Sequence, residues 1–407
     1  MVDSSRNGLP PLPGKDPGQN PAVLPEDDNL NQPDQEKQSP EKAGEPAPAE
    51  CRGNNEPEKG QQALQLPTTP ALPPQNQAPK GPGVQIPART PDVYPEGFMK
   101  TVSGAVGSVW LYFGLQILFA VFCSSLFTMI GLVILRSGMT GMTASSILTA
   151  LVLLVTTVGS GVLTFLFARK KLGLSKAPGA WKNTRFKGSD VFLGICACWT
   201  MSMVLSFVIY LLNAMTGWIF EQPDVALKGN AFMDILNLVT TVIAAPILEE
   251  AIFRGCILES LKKYSTSFAI VFSSLLFALL HMNLAQGLPV FGMGLIFGWM
   301  YVRTGSLPMT ITLHMINNAV SMLTTLLPGP LDLIMEILLI GLGIVGLVFM
   351  IRERKNIKTI VFEKYQTALC WRGACHSIGF WIFVVVAALA IILPLFGSLI
   401  YGVNLLY

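Results

Sequence analysis

From about residue 108 to the end of the chain, apolar residues form long runs that short polar segments separate. A helix that crosses a membrane needs about 20 mostly apolar residues, and nine runs approach or exceed this length. They cover residues 108–135, 143–168, 190–213, 234–261, 266–284, 287–302, 306–327, 331–351 and 378–401. The pattern predicts an all-α fold, a polytopic transmembrane helix bundle of about nine spans.

The first 97 residues follow no such pattern. Of the 28 prolines in the chain, 20 lie among residues 1–100, together with many Gln, Glu, Asn and Gly residues and almost no aromatic ones. Such a segment buries too little apolar surface to offset the entropy lost on ordering. We therefore predict two parts, a disordered Pro-rich tail over 1–97 and a transmembrane helical domain over 98–407.

Composition narrows the class of protein. Hydrophobic residues make up 51% of the chain and charged residues 13%, and the mean hydropathy is +0.51. These values exclude a soluble globular enzyme. Because basic residues cluster only in loops beside the spans, they also exclude a nucleic-acid binder. Membrane lipids are the expected surroundings of an integral multi-pass membrane protein, most simply one of the cell membrane.

Three loops carry most of the positive charge, at residues 169–187, 262–263 and 352–377. Loops on the cytoplasmic side of a membrane are enriched in Lys and Arg. Nine alternating spans bring all three loops to one side, which predicts that this side and the N-terminal tail are cytoplasmic.

Ionisable side chains inside the spans concentrate in one part of the chain. Because such groups are costly in hydrocarbon, they point to function by default. The polar and ionisable candidates are Glu249, Glu250, Arg254, His281, His314 and Asn318.

Spacing along the helices predicts which of these side chains meet. Glu250 and Arg254 are four residues apart, so they share a helix face and can form an ion pair. His314 and Asn318 have the same spacing and are expected to point the same way. Pro246 is expected to kink the helix just before the glutamates.

A helical hairpin adds a prediction about depth. Glu249 lies 16 residues before Ser265 and His281 lies 16 residues after it. If the chain turns near Ser265, both side chains lie about 24 Å from the turn, since a helix rises 1.5 Å per residue. Carboxylate, imidazole and carboxamide groups that converge inside a membrane suit a hydrolytic site with a general base and an oxyanion donor.

Three motifs in this region are familiar in combination. EEAIFR at 249–254, FALLH at 277–281 and HMINN at 314–318 match, in order, the motifs EExxxR, FxxxH and HxxxN. The chain thereby resembles the CAAX prenyl endopeptidase and bacteriocin-processing (CPBP) family of intramembrane proteases, with the protease core at about 234–328.

The resemblance implies an intramembrane endopeptidase whose Glu249 and His281 activate a water molecule. His314 and Asn318 would then stabilise the oxyanion, and Glu250 with Arg254 would form a supporting pair. Eukaryotic relatives remove the last three residues of prenylated proteins, and bacterial relatives are linked to peptide processing. A peptide or protein substrate, membrane-anchored or lipidated, is therefore implied.

Other interpretations stay open at the level of sequence. Glu250 and Arg254 also suit a purely structural ion pair, and Phe277 is interpreted as packing. Ionisable groups in spans also suit a transporter or proton relay, and the same fold also suits a non-proteolytic bacteriocin-immunity protein.

No metal cofactor is predicted. The alternative is zinc bound by Glu249, His281 and His314, a ligand set known in catalytic zinc enzymes. Against zinc, the chain lacks an HExxH helix motif, so no two histidines are spaced one turn apart on one helix.

Overall fold

The computed structural model describes residues 94–135, 141–174, 179–217, 220, 231–324, 327, 329–361 and 364–401. The predicted tail lies outside the described residues except for its last four. Within the described ranges the chain forms helices and no strand. The α-helices are α1 (Phe98–Leu135), α2 (Gly141–Lys171), α3 (Gly179–Lys182), α4 (Gly188–Thr216), α5 (Ala231–Leu238), α6 (Ala245–Glu250), α7 (Glu259–Leu261), α8 (Thr266–Leu280), α9 (Leu284–Thr304), α10 (Leu307–Thr324), α11 (Gly329–Arg352), α12 (Arg354–Val361), α13 (Lys364–Cys375) and α14 (Ile378–Tyr401).

The predicted all-α membrane fold is confirmed, and each of the nine predicted spans coincides with a helix. By length and composition, six described helices can cross a membrane: α1, α2, α4, the helix from α5 to α7, α9 and α11. A seventh candidate is α14 joined to α13, with a bend of 74° between them. The chain is thus a multi-pass membrane protein.

The predicted span 266–284 is shorter in the structure. Helix α8 has 15 residues, about 22 Å at 1.5 Å per residue, so it falls short of a hydrocarbon core of about 30 Å. The chain turns back where Met282 adopts a φ of +51°. The side chain of Asn283 then caps α9 by accepting a hydrogen bond from the Gln286 backbone N–H at 2.9 Å.

Helices α8 and α9 lie at the centre of the bundle. In α9, 67% of an apolar stretch of 18 residues is buried inside the protein, compared with 6% to 33% of such a stretch in the other long spans. Small residues let α9 approach its neighbours closely. A Cβ atom on Gly294 would lie 3.0 Å from the Cβ of Ser274 and 3.1 Å from Nη2 of Arg254.

The helix from Ala231 to Leu261 is not regular. Two π-helical segments, Val239–Ala244 and Ala251–Leu258, flank the short helix α6 that carries both glutamates. Pro246 lies in the first turn of α6, where its missing N–H leaves a carbonyl one turn earlier without its usual donor. Pro246 is therefore flanked by π-helical turns, which are frequent at functional sites, and the kink expected at Pro246 stays a prediction.

Candidate active site

An ion pair lies at the base of the candidate site. Nη1 of Arg254 donates to Oε1 of Glu250 at 2.8 Å, and neither side chain is exposed. Nη2 of Arg254 donates to the carbonyl oxygen of Gly294 on α9 at 3.1 Å. The pair expected from the spacing is thus present, and it also ties its own helix to α9.

Two aromatic rings enclose the guanidinium group. The Cζ atom of Arg254 lies 4.9 Å from the ring centre of Phe277 and 5.3 Å from that of Phe297. A guanidinium over the face of an aromatic ring is stabilised by the ring quadrupole, and more so away from water. Phe277 is therefore a packing residue, as the sequence analysis interpreted it, and the group that it packs against is the buried guanidinium of Arg254.

His314 lies between the two glutamates. Its Nδ1 donates to Oε1 of Glu250 at 3.1 Å, and its Nε2 lies 3.7 Å from Oε2 of Glu249. Because Glu250 also accepts from Arg254, its carboxylate orients the imidazole ring through Nδ1. The side chain of Glu249 is 17% exposed whereas that of Glu250 is fully buried, so only Glu249 faces open space.

His281 lies at the end of α8, beside the turn to α9. Its Nδ1 is 3.0 Å from the carbonyl oxygen of Phe277, one turn earlier. A carbonyl can only accept, so Nδ1 carries the proton and Nε2 keeps a free lone pair. His281 is thereby prepared to accept a hydrogen bond through Nε2.

Asn318 is fixed by contacts to both of its amide atoms. Its Nδ2 donates to the carbonyl oxygen of Thr241 in the first π-helical segment at 2.9 Å, and its Oδ1 accepts from Asn317 at 3.3 Å. An amide nitrogen carries two hydrogens. The second N–H of Asn318 is therefore left to donate to another group.

One cavity of about 350 Å³ brings four of the predicted residues together. Glu249, His281, His314 and Asn318 all line its wall, whereas Glu250 and Arg254 lie behind His314. The remaining lining residues are Gln116, Leu153, Thr157, Thr240, Thr241, Ala245, Phe277, Leu280, Gln286, Val290, Met293 and Phe297.

Sequence reasoning missed several contributors to this cavity. Phe297 and Thr241 touch site residues but lie in apolar or hydroxyl-rich stretches that resemble ordinary membrane helix. Gln116 and Gln286 lie 165 and 5 residues from His281 along the chain. An amide side chain inside an apolar run was the one signal able to reveal these two.

No three His, Cys, Asp or Glu side chains come close enough to hold a metal ion within the described part of the chain. The Nδ1 atom of His314 and that of His281 are each engaged with a protein oxygen.

Comparison with known proteins finds similarity over the part of the chain that carries this site. The family model described as type II CAAX prenyl endopeptidase Rce1-like matches residues 231–320, which span every residue of the three motifs. A protein of Bacillus subtilis (strain 168) named "Putative membrane peptidase YdiL" is 26% identical over 155 residues, 36% of this chain. The chain spans 64% of the length of that relative. No solved structure matches the chain significantly. Through residues 231–320, the chain is therefore similar to the CAAX prenyl endopeptidase and bacteriocin-processing (CPBP) family.

Proposed function

We propose that the chain is an intramembrane endopeptidase that hydrolyses a peptide bond with a water molecule activated by Glu249 and His281. The observation that carries the proposal is the convergence of Glu249, His281, His314 and Asn318 on one cavity inside a helical membrane bundle. The match of residues 231–320 to the Rce1-like family model and the peptidase name of the similar Bacillus protein support it.

Glu249 and His281 have complementary roles in this proposal. A water molecule in the cavity donates one proton toward Nε2 of His281 and the other toward the carboxylate of Glu249. Glu249 removes a proton as the water oxygen attacks the carbonyl carbon of the substrate. The same proton then passes to the leaving nitrogen as the C–N bond breaks, which returns Glu249 to its starting state.

His314 and Asn318 are proposed to stabilise the oxyanion. Donors aimed at developing negative charge are worth more in a dry site than in water. Asn318 has its second N–H available, and His314 donates through Nε2 when it is protonated on both nitrogens. Glu249, Glu250, Arg254 and doubly protonated His314 then sum to zero charge, which suits a site of low dielectric.

The apolar surroundings of the buried ion pair favour hydrolysis over a proton relay. A relay needs polar groups that lead from the cluster to both faces of the membrane. Toward the basic end of the bundle, Arg254 is followed by the fully buried apolar side chains of Ile257, Leu258 and Phe268. These described residues offer protons no route in that direction.

The activity is tested by mapping new protein N-termini in membranes of cells that produce the wild-type chain or the His281→Ala variant. Loss of the free Nε2 lone pair is expected to remove the termini that the wild type generates. His376→Ala is the matched control, since His376 is bound to Arg372 and Tyr94 outside the cavity. Identical termini with wild type and His281→Ala would contradict the proposal.

We further propose that the reaction needs no metal. With only two of the three alternative zinc ligands, Glu249 and His314, within 3.7 Å of each other, the purified protein is expected to contain far less than one zinc per chain. Cleavage is expected to continue in phenanthroline. Stoichiometric zinc, lost together with activity and restored on adding it back, would make these residues ligands.

A further inference from the structure

The basic residues of the membrane domain define the two ends of the bundle. Sixteen Lys and Arg residues after residue 100 lie in the part of the chain that the structure describes, and fifteen of them lie in the loops and helix termini of one end. Arg254, inside the bundle, is the remaining one. By the positive-inside rule the first end is cytoplasmic.

The cavity extends away from this basic end. Measured from the basic end of each helix at 1.5 Å per residue, His314 in α10 lies about 10 Å deep. Glu249, twelve residues before Leu261, lies about 18 Å deep. Gln116 in α1 and Gln286 in α9 lie about 27 Å deep. Glu249 and His314 are thus nearer the base of the cavity, and its amide side chains are nearer the opposite end.

The basic end of the bundle is closed by contacts around α3. Nε1 of Trp181 donates to the carbonyl oxygen of Gly255 at 3.2 Å, next to the buried ion pair. Nδ2 of Asn183 donates to the carbonyl oxygens of Thr304 and Gly305 at 3.1 and 3.0 Å. This segment therefore links the end of α9 and the second π-helical segment across the cytoplasmic side of the site.

The deeper wall of the cavity suits a neutral peptide backbone. Gln116 and Gln286 are half-buried, and neither side-chain amide hydrogen-bonds to another described residue. An amide both donates and accepts, as a peptide group does. No charged side chain accompanies them among the lining residues away from Glu249 and the two histidines.

We infer that the site receives an extended polypeptide segment from the non-cytoplasmic half of the membrane, not a chain end from the cytoplasm. The amides of Gln116 and Gln286 bind its backbone on the way to Glu249. Calling that segment a substrate rests on the proposed protease function, whereas the side of access rests on the cavity and the charge distribution alone.

Cysteine labelling tests the side of access without any cleavage assay. Among the six described cysteines only Cys375 is exposed, and it lies at the basic end. The test variant is Gln286→Cys with Cys51→Ser and Cys375→Ser, in the full-length protein. The control keeps Cys375 and Gln286 and carries Cys51→Ser alone. A membrane-impermeant sulfonated maleimide is applied to sealed right-side-out and inverted membrane vesicles.

The variant is expected to take up at least about ten times more label in right-side-out than in inverted vesicles, and the control to show the reverse. A variant labelled like the control overturns the inference. So does a variant that reacts with a permeant maleimide but with the impermeant one from neither side. The same labelling is expected in the inactive Glu249→Gln background, so failure of the proposed protease function is recognised separately.

Discussion

Glu249→Gln is expected to lower the rate of peptide-bond cleavage by about 10² to 10⁴-fold, the usual contribution of a general base. The change keeps the size of the side chain and its position opposite His314, but an amide cannot take a proton from water. Because Glu249 is the more exposed of the two glutamates, its replacement leaves the buried ion pair intact. The variant is therefore expected to accumulate in membranes and unfold at the wild-type temperature.

A matched control comes from the same helix. Glu259 also sits in a charged contact, accepting from Tyr301 at 2.7 Å and pairing with Lys262 at 2.6 Å, but it lies at the basic end and outside the cavity. Glu259→Gln is expected to cleave at close to the wild-type rate. If Glu249→Gln cleaves as fast as Glu259→Gln, then Glu249 is not the base.

Contacts within one helix were the most predictable part of the site. The spacing of Glu250 and Arg254 predicts their ion pair because residues four apart share a face, and the pair forms. Equal spacing on both sides of Ser265 predicts that Glu249 and His281 reach similar depth. The hairpin turns there, with the Ser265 hydroxyl capping α8 through the Phe268 N–H at 3.3 Å, and both side chains line one cavity.

The contacts between helices could not be predicted from the spacing of residues along the chain. The hydrogen bond from His314 to Glu250 joins residues 64 apart, and that from Asn318 to Thr241 joins residues 77 apart. Each depends on how α10 is rotated against the helix from Ala231 to Leu261. The π-helical segments set that rotation, because each wide turn shifts the register of every side chain beyond it. No local sequence pattern of regular helix predicts such a shift.

These longer contacts also change how the first motif is understood. Glu250 with Arg254 had two interpretations from the sequence, a purely structural ion pair or a pair that supports the active site. In the structure its Oε1 accepts from both Arg254 and His314, so the pair sets the direction of an imidazole ring that lines the cavity. The EExxxR and HxxxN motifs thus act on each other through a single oxygen atom.

Arg254→Ala is accordingly expected to cost about 3 to 5 kcal/mol of stability, the loss typical when one partner of a buried ion pair is removed. The variant leaves the Glu250 carboxylate without its cation at a position with no solvent exposure. It also empties the space between Phe277 and Phe297 and frees the Gly294 carbonyl. We expect lower yield and a Tm in detergent reduced on the order of 10 °C, together with loss of cleavage.

Arg303→Ala is the matched control, because Arg303 makes similar contacts to those of Arg254 but is partly exposed to solvent. Arg303 also contacts two carboxylates, Asp190 at 3.8 Å and Glu353 at 3.0 Å, and its guanidinium lies over the rings of Trp299 and Phe349. Its side chain is 32% exposed, so water replaces much of what the substitution removes, and the expected cost is about 1 kcal/mol or less. Equal Tm values for the two variants would mean that water reaches Arg254 in the membrane-embedded protein. The Glu250 carboxylate would then be solvated, and its hydrogen bond with His314 would contribute no more to stability than a hydrogen bond at the protein surface.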